Sequence, residues 1–578
     1  MALRVAMAQM AARVGDVDGN TALILDAWRR AADAGADLVV FTELTVTGYP
    51  PEDLLLKPEF LAATDDAMEV LRREGPAGTV AVVGTVASVG DREDPEQLGW
   101  DVSVPALDLR NRAVVLADGE VAAVYDKWRL PNYGVFDEAR YFIPDKQVCV
   151  VGVAGVPVGM TVCEDLWTDE GPLAEAAAAG AKVVVNLNAS PYERGKRATR
   201  EQWVRHHATR DGTWVVYVNQ VGGHDDVVFD GDSMLCSPDG QMVARGAQFA
   251  EDLVVVDLPV DAAEAPGPSL PGFTGKRADL PQVEVVPRLE PVAEVWEALV
   301  LATRDYVRRN RFDQVIVALS GGLDSAATAA IAADALGGEH VIGLLLPSPY
   351  SSGHSLADAR DLATNMGIRT YEIPIESAMR AFDGMLADVF DAEGGATTPD
   401  NEHVSLTEEN LQSRIRGVIV MALSNETGAL VLTTGNKSEY AVGYATLYGD
   451  MAGGFAPLKD VPKTLVYEIA RYRADRSPSI PQNTIDKPPS AELKPGQVDQ
   501  DSLPPYDVLD DIIAAYVERN EGIAEILGRG HDEEVVRKVL RMIDGAEFKR
   551  RQSAPGPKIT HRAFGKERRV PMTHAWHG

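Results

Sequence analysis

The chain contains little cysteine, few basic residues for its size and no long apolar run. Three cysteines in 578 residues cannot form a disulfide framework, so we expect a reducing compartment, the cytoplasm. The 55 lysines and arginines face 87 aspartates and glutamates, which gives a net charge of −32. That charge repels nucleic acid and anionic membrane surfaces, so we expect neither as a partner. Since no apolar stretch of the sequence is long enough to cross a bilayer, we expect no membrane span.

The composition is otherwise that of a globular protein. Hydrophobic residues make up 45% of the chain and charged residues 25%, which excludes disordered and fibrous classes. The length exceeds one ordinary core, so two large domains or three smaller ones are expected. The apolar start, residues 1–10, is predicted to be a strand and not a signal peptide, because Gln9 and Arg13 interrupt it.

Short β-rich runs alternate with alanine-rich helical runs, which indicates an α/β protein. Valine-rich runs typical of a sheet covered by helices lie at residues 38–41, 80–84, 113–116, 156–162 and 183–187. Residues 262–288 lose this periodicity and are rich in Pro, Gly, Ala and Glu. We therefore predict a first domain at residues 1–265, a linker at 266–290 and a second domain at 291–578.

The second half opens with a predicted amphipathic helix at residues 292–309. Strands are then predicted at residues 314–319, 341–346 and 370–375, with helices between them at 326–336 and 356–366. This βαβαβ order predicts a doubly wound parallel sheet. Residues 477–505 are Pro-rich, and a long irregular segment inside a compact domain is usually a loop that covers a substrate.

A glycine-containing loop, Ser-Gly-Gly-Leu-Asp-Ser at residues 320–325, follows the first of these strands. Two glycines let the backbone curl around an anion, which the following helix N-terminus attracts with its free N–H groups. Asp324 supplies a carboxylate for Mg²⁺ that bridges phosphates. A Gly-Gly pair alone would indicate an ordinary turn. The full string resembles the pyrophosphate-binding loop of the N-type ATP pyrophosphatases.

Cys163 ends the predicted strand at residues 156–162 and is a candidate nucleophile. Taken alone, it is more simply explained as a buried, inert thiol. Glu43 and Lys127 also follow predicted strands, although each alone could be a surface charge. A carboxylate can take the thiol proton and a lysine can hold the developing oxyanion, so the three residues together suffice for amide cleavage.

The order Glu, Lys, Cys, each at a strand end, resembles the nitrilase superfamily, whose fold is an α-β-β-α sandwich. The strings Gly-Val-Phe-Asp-Glu at 134–138, Asn-Leu-Asn-Ala-Ser-Pro-Tyr at 186–192 and Phe-Asp-Gly-Asp-Ser at 229–233 resemble the glutaminase domain of NAD⁺ synthetases. In the second half, Thr-Thr-Gly-Asn-Lys-Ser-Glu at 433–439 and the segments 441–450 and 457–461 resemble an NAD⁺ synthetase domain. The resemblance to the glutamine-dependent NAD⁺ synthetase family spans nearly the whole chain. It implies a nitrilase-like sandwich followed by an adenine nucleotide alpha hydrolase-like domain.

The resemblance implies roles for particular residues. Glu43, Lys127 and Cys163 would be catalytic, and Glu138 would help to position the amide. The residues implied to bind glutamine are Tyr133, Ser190 and Lys196. Those implied to bind ATP are Ala318, Leu319, Ser320, Gly321, Gly322, Leu323, Asp324, Ser325 and Thr434. Those implied to bind deamido-NAD⁺ are Asn410, Arg414, Glu439, Asp450 and Lys549. Asp324 and Glu439 would hold Mg²⁺.

The implied activity is a carbon–nitrogen ligase of NAD⁺ biosynthesis. Glutamine hydrolysis would supply ammonia and leave glutamate, and ATP would activate the nicotinate carboxylate of deamido-NAD⁺ with release of pyrophosphate. Ammonia would then displace AMP to give NAD⁺. The resemblance also implies a homo-oligomer with small-molecule substrates. Three alternatives remain: a synthetase that uses free ammonia or whose amidase acts on another amide, an amidotransferase acting on a purine nucleotide, and a non-catalytic dinucleotide-binding protein.

Residues 222–226 depart from the family pattern. His224 stands where an amide side chain is expected, and Asp226 stands where a glutamate is expected. The departure leaves Glu43, Lys127 and Cys163 untouched. Cys149 and Cys236 have no such catalytic neighbours in the sequence, and we interpret both as packing residues.

Overall fold

The computed structural model describes residues 2–89, 108–277, 279–280, 285–393 and 405–576. The chain divides into two compact units, residues 1–222 with 229–289 and residues 223–228 with 290–578. None of the helices in these described ranges is long and apolar enough to cross a membrane.

Strands dominate the first 270 residues. In chain order they are β1 (Ala2–Gln9), β2 (Leu38–Val40), β3 (Val80–Ser88), β4 (Leu109–Ala117), β5 (Glu120–Asp126), β6 (Val150–Val153), β7 (Val156–Val162), β8 (Val183–Asn188), β9 (Trp214–Asn219), β10 (Val221–His224), β11 (Val227–Asp230), β12 (Met234–Cys236), β13 (Met242–Arg245), β14 (Asp252–Pro259) and β15 (Ser269–Leu270). The helices are α1 (Val17–Asp33), α2 (Pro58–Glu74), α3 (Pro172–Ala178) and α4 (Lys196–Asp211).

The first unit is built from two sheets packed face to face. Their strand orders are β14–β1–β2–β3–β4–β5 and β13–β12–β9–β8–β7–β6–β15. Apolar side chains of both sheets share one core, with Val5 and Met7 from the first sheet and Val158 and Met160 from the second. Helices α1 and α2 cover the outer face of the first sheet, and α3 and α4 cover that of the second. This is the predicted α-β-β-α sandwich.

Two features of this unit differ from the sequence-based expectation. Strand β4 begins at Leu109, whereas the valine-rich pattern places its start at residue 113. The first residues of β4 include Arg110, Asn111 and Arg112, which interrupt the apolar pattern. Within the segment predicted to be a linker, β15 pairs with β6 in parallel, so part of that segment is strand.

The second unit contains the remaining elements. Its strands are β16 (Val315–Ala318), β17 (Val341–Leu345), β18 (Arg369–Glu372) and β19 (Leu430–Leu432). Its helices are α5 (Pro291–Arg309), α6 (Leu323–Leu336), α7 (Gly353–Met366), α8 (Glu376–Ala392), α9 (Leu406–Thr427), α10 (Lys437–Val442), α11 (Lys463–Arg476), α12 (Gln482–Asp486), α13 (Tyr506–Ile513), α14 (Ile523–Leu527), α15 (Glu533–Gly545) and α16 (Glu547–Arg550). Helix α12 lies inside the segment predicted to be irregular.

The sheet of the second unit is parallel, with the strand order β18–β17–β16–β19. The chain runs outward from β16 to β18 and then returns to the other side of β16 as β19. This reversal creates a topological switch point at the carboxyl ends of β16 and β19, where open α/β sheets bind ligands. Helix α9 packs on one face through Ile415 and Val420, and α6 packs against β16 and β17. The predicted doubly wound sheet is confirmed.

Candidate active sites

Glu43, Lys127 and Cys163 lie directly after β2, β5 and β7, and the fold buries them together. Their exposed fractions are 0%, 1% and 3%. The Lys127 ammonium donates to Oε1 of Glu43 at 2.6 Å. Burial and the Glu43 carboxylate raise the pKa of the Cys163 thiol well above its ordinary value, although Lys127 lowers it. A protonated thiol, a carboxylate and a fixed cation therefore share one buried site.

Lys127 is held between two carboxylates. Its Nζ also donates to both oxygens of Glu138, at 2.8 and 2.9 Å, and the Tyr49 hydroxyl donates to Glu138 at 2.8 Å. Burial would lower the pKa of Lys127, but Glu138 and Glu43 outweigh it and hold that pKa well above the ordinary value. Burial also raises the pKa of Glu138 to about 7, although Lys127 opposes this. The lysine therefore remains a cation at neutral pH.

The loop that carries Glu43 presses closely on β3. A Cβ on Gly84 would lie 2.3 Å from the carbonyl oxygen of Thr42, so only glycine fits at this position. Two further donors hold the Glu43 carboxylate: Asn111 Nδ2 at 2.7 Å and the backbone N–H of Ala189 at 3.1 Å. The carboxylate thus has a fixed orientation inside the sandwich.

Cys163 sits on a sharp turn with φ +45°, a conformation that costs energy for a residue other than glycine. Asp165, fully buried two residues later, stabilises this turn. Its carboxylate accepts hydrogen bonds from the backbone N–H of Val162 at 2.9 Å, the Tyr125 hydroxyl at 2.7 Å and the backbone N–H of Arg129 at 2.8 Å. Tyr125 and Arg129 flank Lys127, so Asp165 joins the strand ends that carry the lysine and the cysteine.

The residues implied to bind glutamine lie around this turn. The Tyr133 hydroxyl donates to the carboxylate of Glu164 at 2.9 Å. The Lys196 ammonium lies 5.5 Å from the ring centre of Trp167 and donates to the carbonyl oxygen of Pro191 at 3.3 Å. Ser190 follows Ala189, whose N–H contacts Glu43, and is 2% exposed. Tyr133 and Lys196 therefore contact residues that closely follow Cys163 in the chain, Glu164 and Trp167.

The phosphate loop of the second unit lies at the switch point. Ala318 ends β16, and Leu319 and Ser320 lead into the turn. Gly321 has φ +79°, and a Cβ there would lie 2.1 Å from the carbonyl oxygen of Ser355. Helix α6 begins at Leu323, three residues earlier than predicted, so Asp324 and Ser325 lie in its first turn. The N-terminus of a helix that begins at such a turn can bind an anion.

Asp324 and Glu439 approach each other beside the phosphate loop. Burial and the Asp324 carboxylate raise the pKa of Glu439 well above its ordinary value. The Lys463 ammonium donates to Asp324, and Asn436 Nδ2 donates to the same carboxylate at 3.2 Å. Burial lowers the pKa of Lys463, but Asp324 and Glu439 outweigh it and raise that pKa. Two carboxylates that already repel each other fit a divalent cation, and Mg²⁺ commonly takes one or two protein carboxylates plus phosphate oxygens.

The other residues implied to bind the dinucleotide surround the segment 443–450, which follows α10. Asn410 Oδ1 accepts from the Thr446 hydroxyl at 2.9 Å, and Asp450 accepts from the Thr446 N–H at 2.7 Å. Arg414 Nε donates to the Leu447 carbonyl oxygen at 3.3 Å. Lys549 Nζ donates to the carbonyl oxygens of Gly443 and Ala445, both at 2.8 Å. Thr434, two residues beyond β19, is half-buried.

The departure at residues 222–226 has a structural consequence in the second unit, to which residues 223–228 belong. Arg309 Nη1 lies 2.7 Å from Nε2 of His224. The backbone N–H of Gly223 donates to Asp305 at 2.9 Å, and the backbone N–H of Lys558 donates to the Asp226 carbonyl oxygen at 2.7 Å. His224 and Asp226 therefore contact α5 and the C-terminal segment.

Comparison with known proteins identifies the family. The family model for carbon-nitrogen hydrolase matches residues 4–266, and the one for NAD synthase matches residues 295–553. The glutamine-dependent NAD(+) synthetase of Synechocystis sp. is 43% identical, with 99% of each chain covered. That of Xanthomonas campestris pv. campestris is 46% identical, with 100% of this chain and 98% of the relative covered. The chain belongs to the glutamine-dependent NAD⁺ synthetase family.

Solved structures of the family agree with the fold. The glutamine-dependent NAD+ synthetase from Acinetobacter baumannii, solved in complex with adenosine diphosphate, is 41% identical with a TM-score of 0.75 and covers 100% of this chain and 99% of that chain. The glutamine-dependent NAD(+) synthetase from Cytophaga hutchinsonii has a TM-score of 0.81 at 22% identity and covers 100% and 98%. At that identity the second likeness shows the fold alone. Members of this family are ligases that take nitrogen from glutamine.

Four buried polar residues at the sites of this glutamine-dependent NAD⁺ synthetase family member were not assigned from the sequence. They are Tyr49, Asn111, Asp165 and Lys463. Asn111 and Lys463 carry a detectable signal, because one is an amide inside a strand and the other is a lysine at a helix start. Tyr49 and Asp165 carry no such signal in their residue type or their position.

Proposed function

We propose that the first unit hydrolyses glutamine and that the second uses Mg²⁺-ATP to amidate deamido-NAD⁺ to NAD⁺, with AMP, pyrophosphate and glutamate as the other products. The observation that carries the proposal is the buried Glu43, Lys127 and Cys163 set in a chain that also holds an anion-binding loop at a switch point. A non-catalytic dinucleotide-binding protein has no use for the buried Glu43, Lys127 and Cys163 set.

Glu43 acts as the base in glutamine hydrolysis. Since burial keeps the pKa of Cys163 high, the thiol is protonated at neutral pH and needs a base to become a nucleophile. The sulfur attacks the side-chain amide carbon, and the Lys127 cation stabilises the negative charge on the amide oxygen. The proton held by Glu43 passes to the leaving nitrogen, ammonia departs, and water hydrolyses the thioester to glutamate.

Tyr133, Ser190 and Lys196 orient the glutamine. Lys196 provides the cation for the substrate's carboxylate, and its Nζ lies over the rings of Trp167 and Phe136, 5.5 and 5.9 Å from their centres. Ser190 is held by the Asn219 side chain, which accepts from its N–H at 2.9 Å. The substrate amide is thereby directed toward Cys163.

The second unit binds the two nucleotides. The loop at residues 318–325 and Thr434 bind ATP, with N–H groups and hydroxyls directed at its phosphates. Asp324 and Glu439 would hold Mg²⁺, which would neutralise phosphate charge. ATP transfers AMP to the nicotinate carboxylate. Asn410, Arg414, Glu439, Asp450 and Lys549 bind deamido-NAD⁺.

We also propose a cytoplasmic homo-oligomer. The three cysteines are unpaired in the structure, which fits a reducing compartment. Helices α8 and α9 expose apolar side chains, including Met385 at 64%, Val389 at 56% and Val418 at 67%. Exposed apolar clusters of this kind favour association between copies. Light scattering of the purified protein tests this, and a monomer at micromolar concentration contradicts it.

The test of the function compares NAD⁺ formation from deamido-NAD⁺ and Mg²⁺-ATP with glutamine or ammonium as nitrogen source. We expect Cys163→Ala to lose the glutamine-supported reaction and keep the ammonium-supported one. Cys236→Ala is the matched control, because Cys236 is buried in the same unit away from the catalytic residues, and it should keep both reactions. A wild-type protein that makes no NAD⁺ from either source contradicts the synthetase assignment, and glutamine use by Cys163→Ala contradicts the nucleophile.

A further inference from the structure

The two oxygens of the Glu43 carboxylate have different partners. Oε1 accepts from Lys127 Nζ at 2.6 Å and from Asn111 Nδ2 at 2.7 Å. Oε2 accepts only a longer hydrogen bond, from the backbone N–H of Ala189 at 3.1 Å, within the described residues. Donors favour negative charge on the oxygen they contact, so the oxygen with fewer and longer bonds is the better proton acceptor.

The two donors to Oε1 are not equivalent. Lys127 is shared, because it also donates to both oxygens of Glu138. Asn111 Nδ2 has Glu43 as its partner, and the backbone of Asn111 is fixed in β4, where its carbonyl oxygen accepts from the Lys127 N–H at 2.8 Å. Asn111 is therefore the donor that ties the carboxylate of Glu43 to the rigid sheet.

The side chain of Asn111 has an unusual environment for a buried amide. It is 1% exposed, and its Oδ1 has no hydrogen-bond partner among the described residues. Turning the amide over would place Oδ1 against the Glu43 carboxylate, where two acceptors repel, so the contact with Glu43 determines the orientation. An unsatisfied buried oxygen is unfavourable, and such groups concentrate where function requires them.

We propose that Asn111 is a positioning residue that holds Oε1 of Glu43 as the hydrogen-bonded, charged oxygen and thereby makes Oε2 the atom that transfers the proton. This inference rests on the proposed roles of Glu43 and Cys163. The S–H bond of Cys163 breaks and its proton goes to Oε2 as the sulfur bonds to the amide carbon. The O–H bond at Oε2 then breaks, the proton goes to the amide nitrogen, and the carbon–nitrogen bond breaks to release ammonia.

Asn111→Leu removes the donor and keeps the number and branching of the side-chain heavy atoms. We expect kcat for glutamine hydrolysis to fall about tenfold or more, with KM little changed, because the hydrogen bond acts on the base and not on the substrate. The acidic limb of the kcat profile should move to higher pH, because the ionised carboxylate has lost a donor. The charged and titratable groups that face Glu43 are Lys127, Glu138, Cys163, Tyr49 and Glu164, and all are retained.

Two controls accompany this variant. Asn186→Leu makes the same change at a buried asparagine of β8 that also has an unpartnered oxygen but donates to Thr161, and its acidic limb should stay in place. Asn111→Asp keeps the shape and replaces the donor by an acceptor, so it should move the limb in the same direction even if Asn111→Leu folds poorly. Ammonium-supported NAD⁺ formation reports a folded second unit and should be unchanged in all three variants, while circular dichroism and thermal unfolding check the fold of the first unit, which carries the substitutions.

The outcomes separate this inference from the function on which it rests. A wild-type rate and profile in the Asn111 variants overturn it, and so does a lower rate with the acidic limb in place, since that is the result of a structural defect. If Glu43→Gln or Cys163→Ala hydrolyses glutamine normally, the proposed glutaminase site is wrong and the inference falls with it. If Glu43→Gln and Cys163→Ala are inactive and the acidic limb shifts in the Asn111 variants, the results support both the glutaminase site and the positioning role of Asn111.

Discussion

At the scale of single residues, Asp165 links the strand ends that carry Lys127 and Cys163, two of the proposed catalytic residues, without being one of them. Its carboxylate accepts from Val162 beside Cys163 and from Tyr125 and Arg129 on either side of Lys127. Three donors compensate part of the cost of burying the charge, but burial still raises the pKa of Asp165 to about 6 from 3.8. The residue therefore maintains the geometry of the site at a cost to stability at neutral pH.

We predict the effect of Asp165→Asn on stability and on rate. The folded state binds the Asp165 proton more tightly than the unfolded state does. The contribution of this proton to the free energy of unfolding is therefore fully present below pH 3.8 and is lost as pH rises through about 6. This loss amounts to roughly 3 kcal/mol. Relative to Asp165→Asn, the wild-type free energy of unfolding should fall between pH 4 and 6. Urea titrations at several pH values measure it, and parallel pH dependences in the two proteins contradict it.

The same variant should hydrolyse glutamine more slowly. An asparagine presents one oxygen and one N–H₂ group to three donors, so one of the hydrogen bonds to Asp165 becomes a repulsive contact. The turn at Cys163 then loses part of its support. A glutaminase assay checks this, with ammonium-supported NAD⁺ formation as the internal reference for a folded second unit.

At the scale of elements, the junction of β16 and α6 depends on close packing against α7. Gly321 has φ +79°, and a Cβ there would meet the Ser355 carbonyl oxygen at 2.1 Å. Backbone atoms cannot move away as a flexible side chain can. Because Gly321 has no side chain, the loop can pack against α7, and this packing holds the first turn of α6, with Asp324, in place.

Gly321→Ala should reduce ammonium-supported NAD⁺ formation at least tenfold, because the loop must shift to relieve the clash. The matched control is Gly428→Ala after α9, where φ is +70° and a Cβ would meet nothing within 4 Å. That variant carries similar backbone strain, about 1 kcal/mol, and should keep its activity. Equal losses of activity in the two variants would show that backbone strain, and not the contact with Ser355, is responsible.

At the scale of the whole molecule, the chain combines two units, each with a core of its own. The acidic surface implied by the net charge of −32 suits a protein with small-molecule substrates and disfavours nucleic acid. A ligand stabilises the structure to which it binds. Because each unit has its own core, we expect the ligands of one unit to stabilise that unit most.

Hydrogen–deuterium exchange tests this assignment of ligands to units. We expect Mg²⁺-ATP to slow exchange most in peptides from residues 315–336 and 430–442, next to the phosphate loop. A glutamine analogue that alkylates Cys163 should slow exchange most in peptides from residues 156–166. Each peptide set is the control for the other ligand, and stronger protection of residues 156–166 by Mg²⁺-ATP contradicts the assignment.

The sequence by itself determined the fold class and the family, and it predicted the residues of both candidate sites. Strand β7 was predicted with its observed bounds, and the candidate phosphate loop was predicted because its six residues, 320–325, are consecutive in the chain. A loop of this kind can be predicted from the sequence because its residues are neighbours in the chain and share one turn. Strand β4 was predicted too short, since Arg110, Asn111 and Arg112 lack the apolar pattern on which the prediction depended.

Only the tertiary structure decided which polar groups meet. Asn111 contacts Glu43 across 68 positions, Asp165 contacts Tyr125 across 40, and Lys463 contacts Asp324 across 139. Such pairings arise because strands and helices distant in sequence end at the same edge of a sheet, where burial forces each polar group to find a partner. The types of the proposed catalytic residues follow from the sequence, whereas their hydrogen bonds and charge states follow from the packing around them.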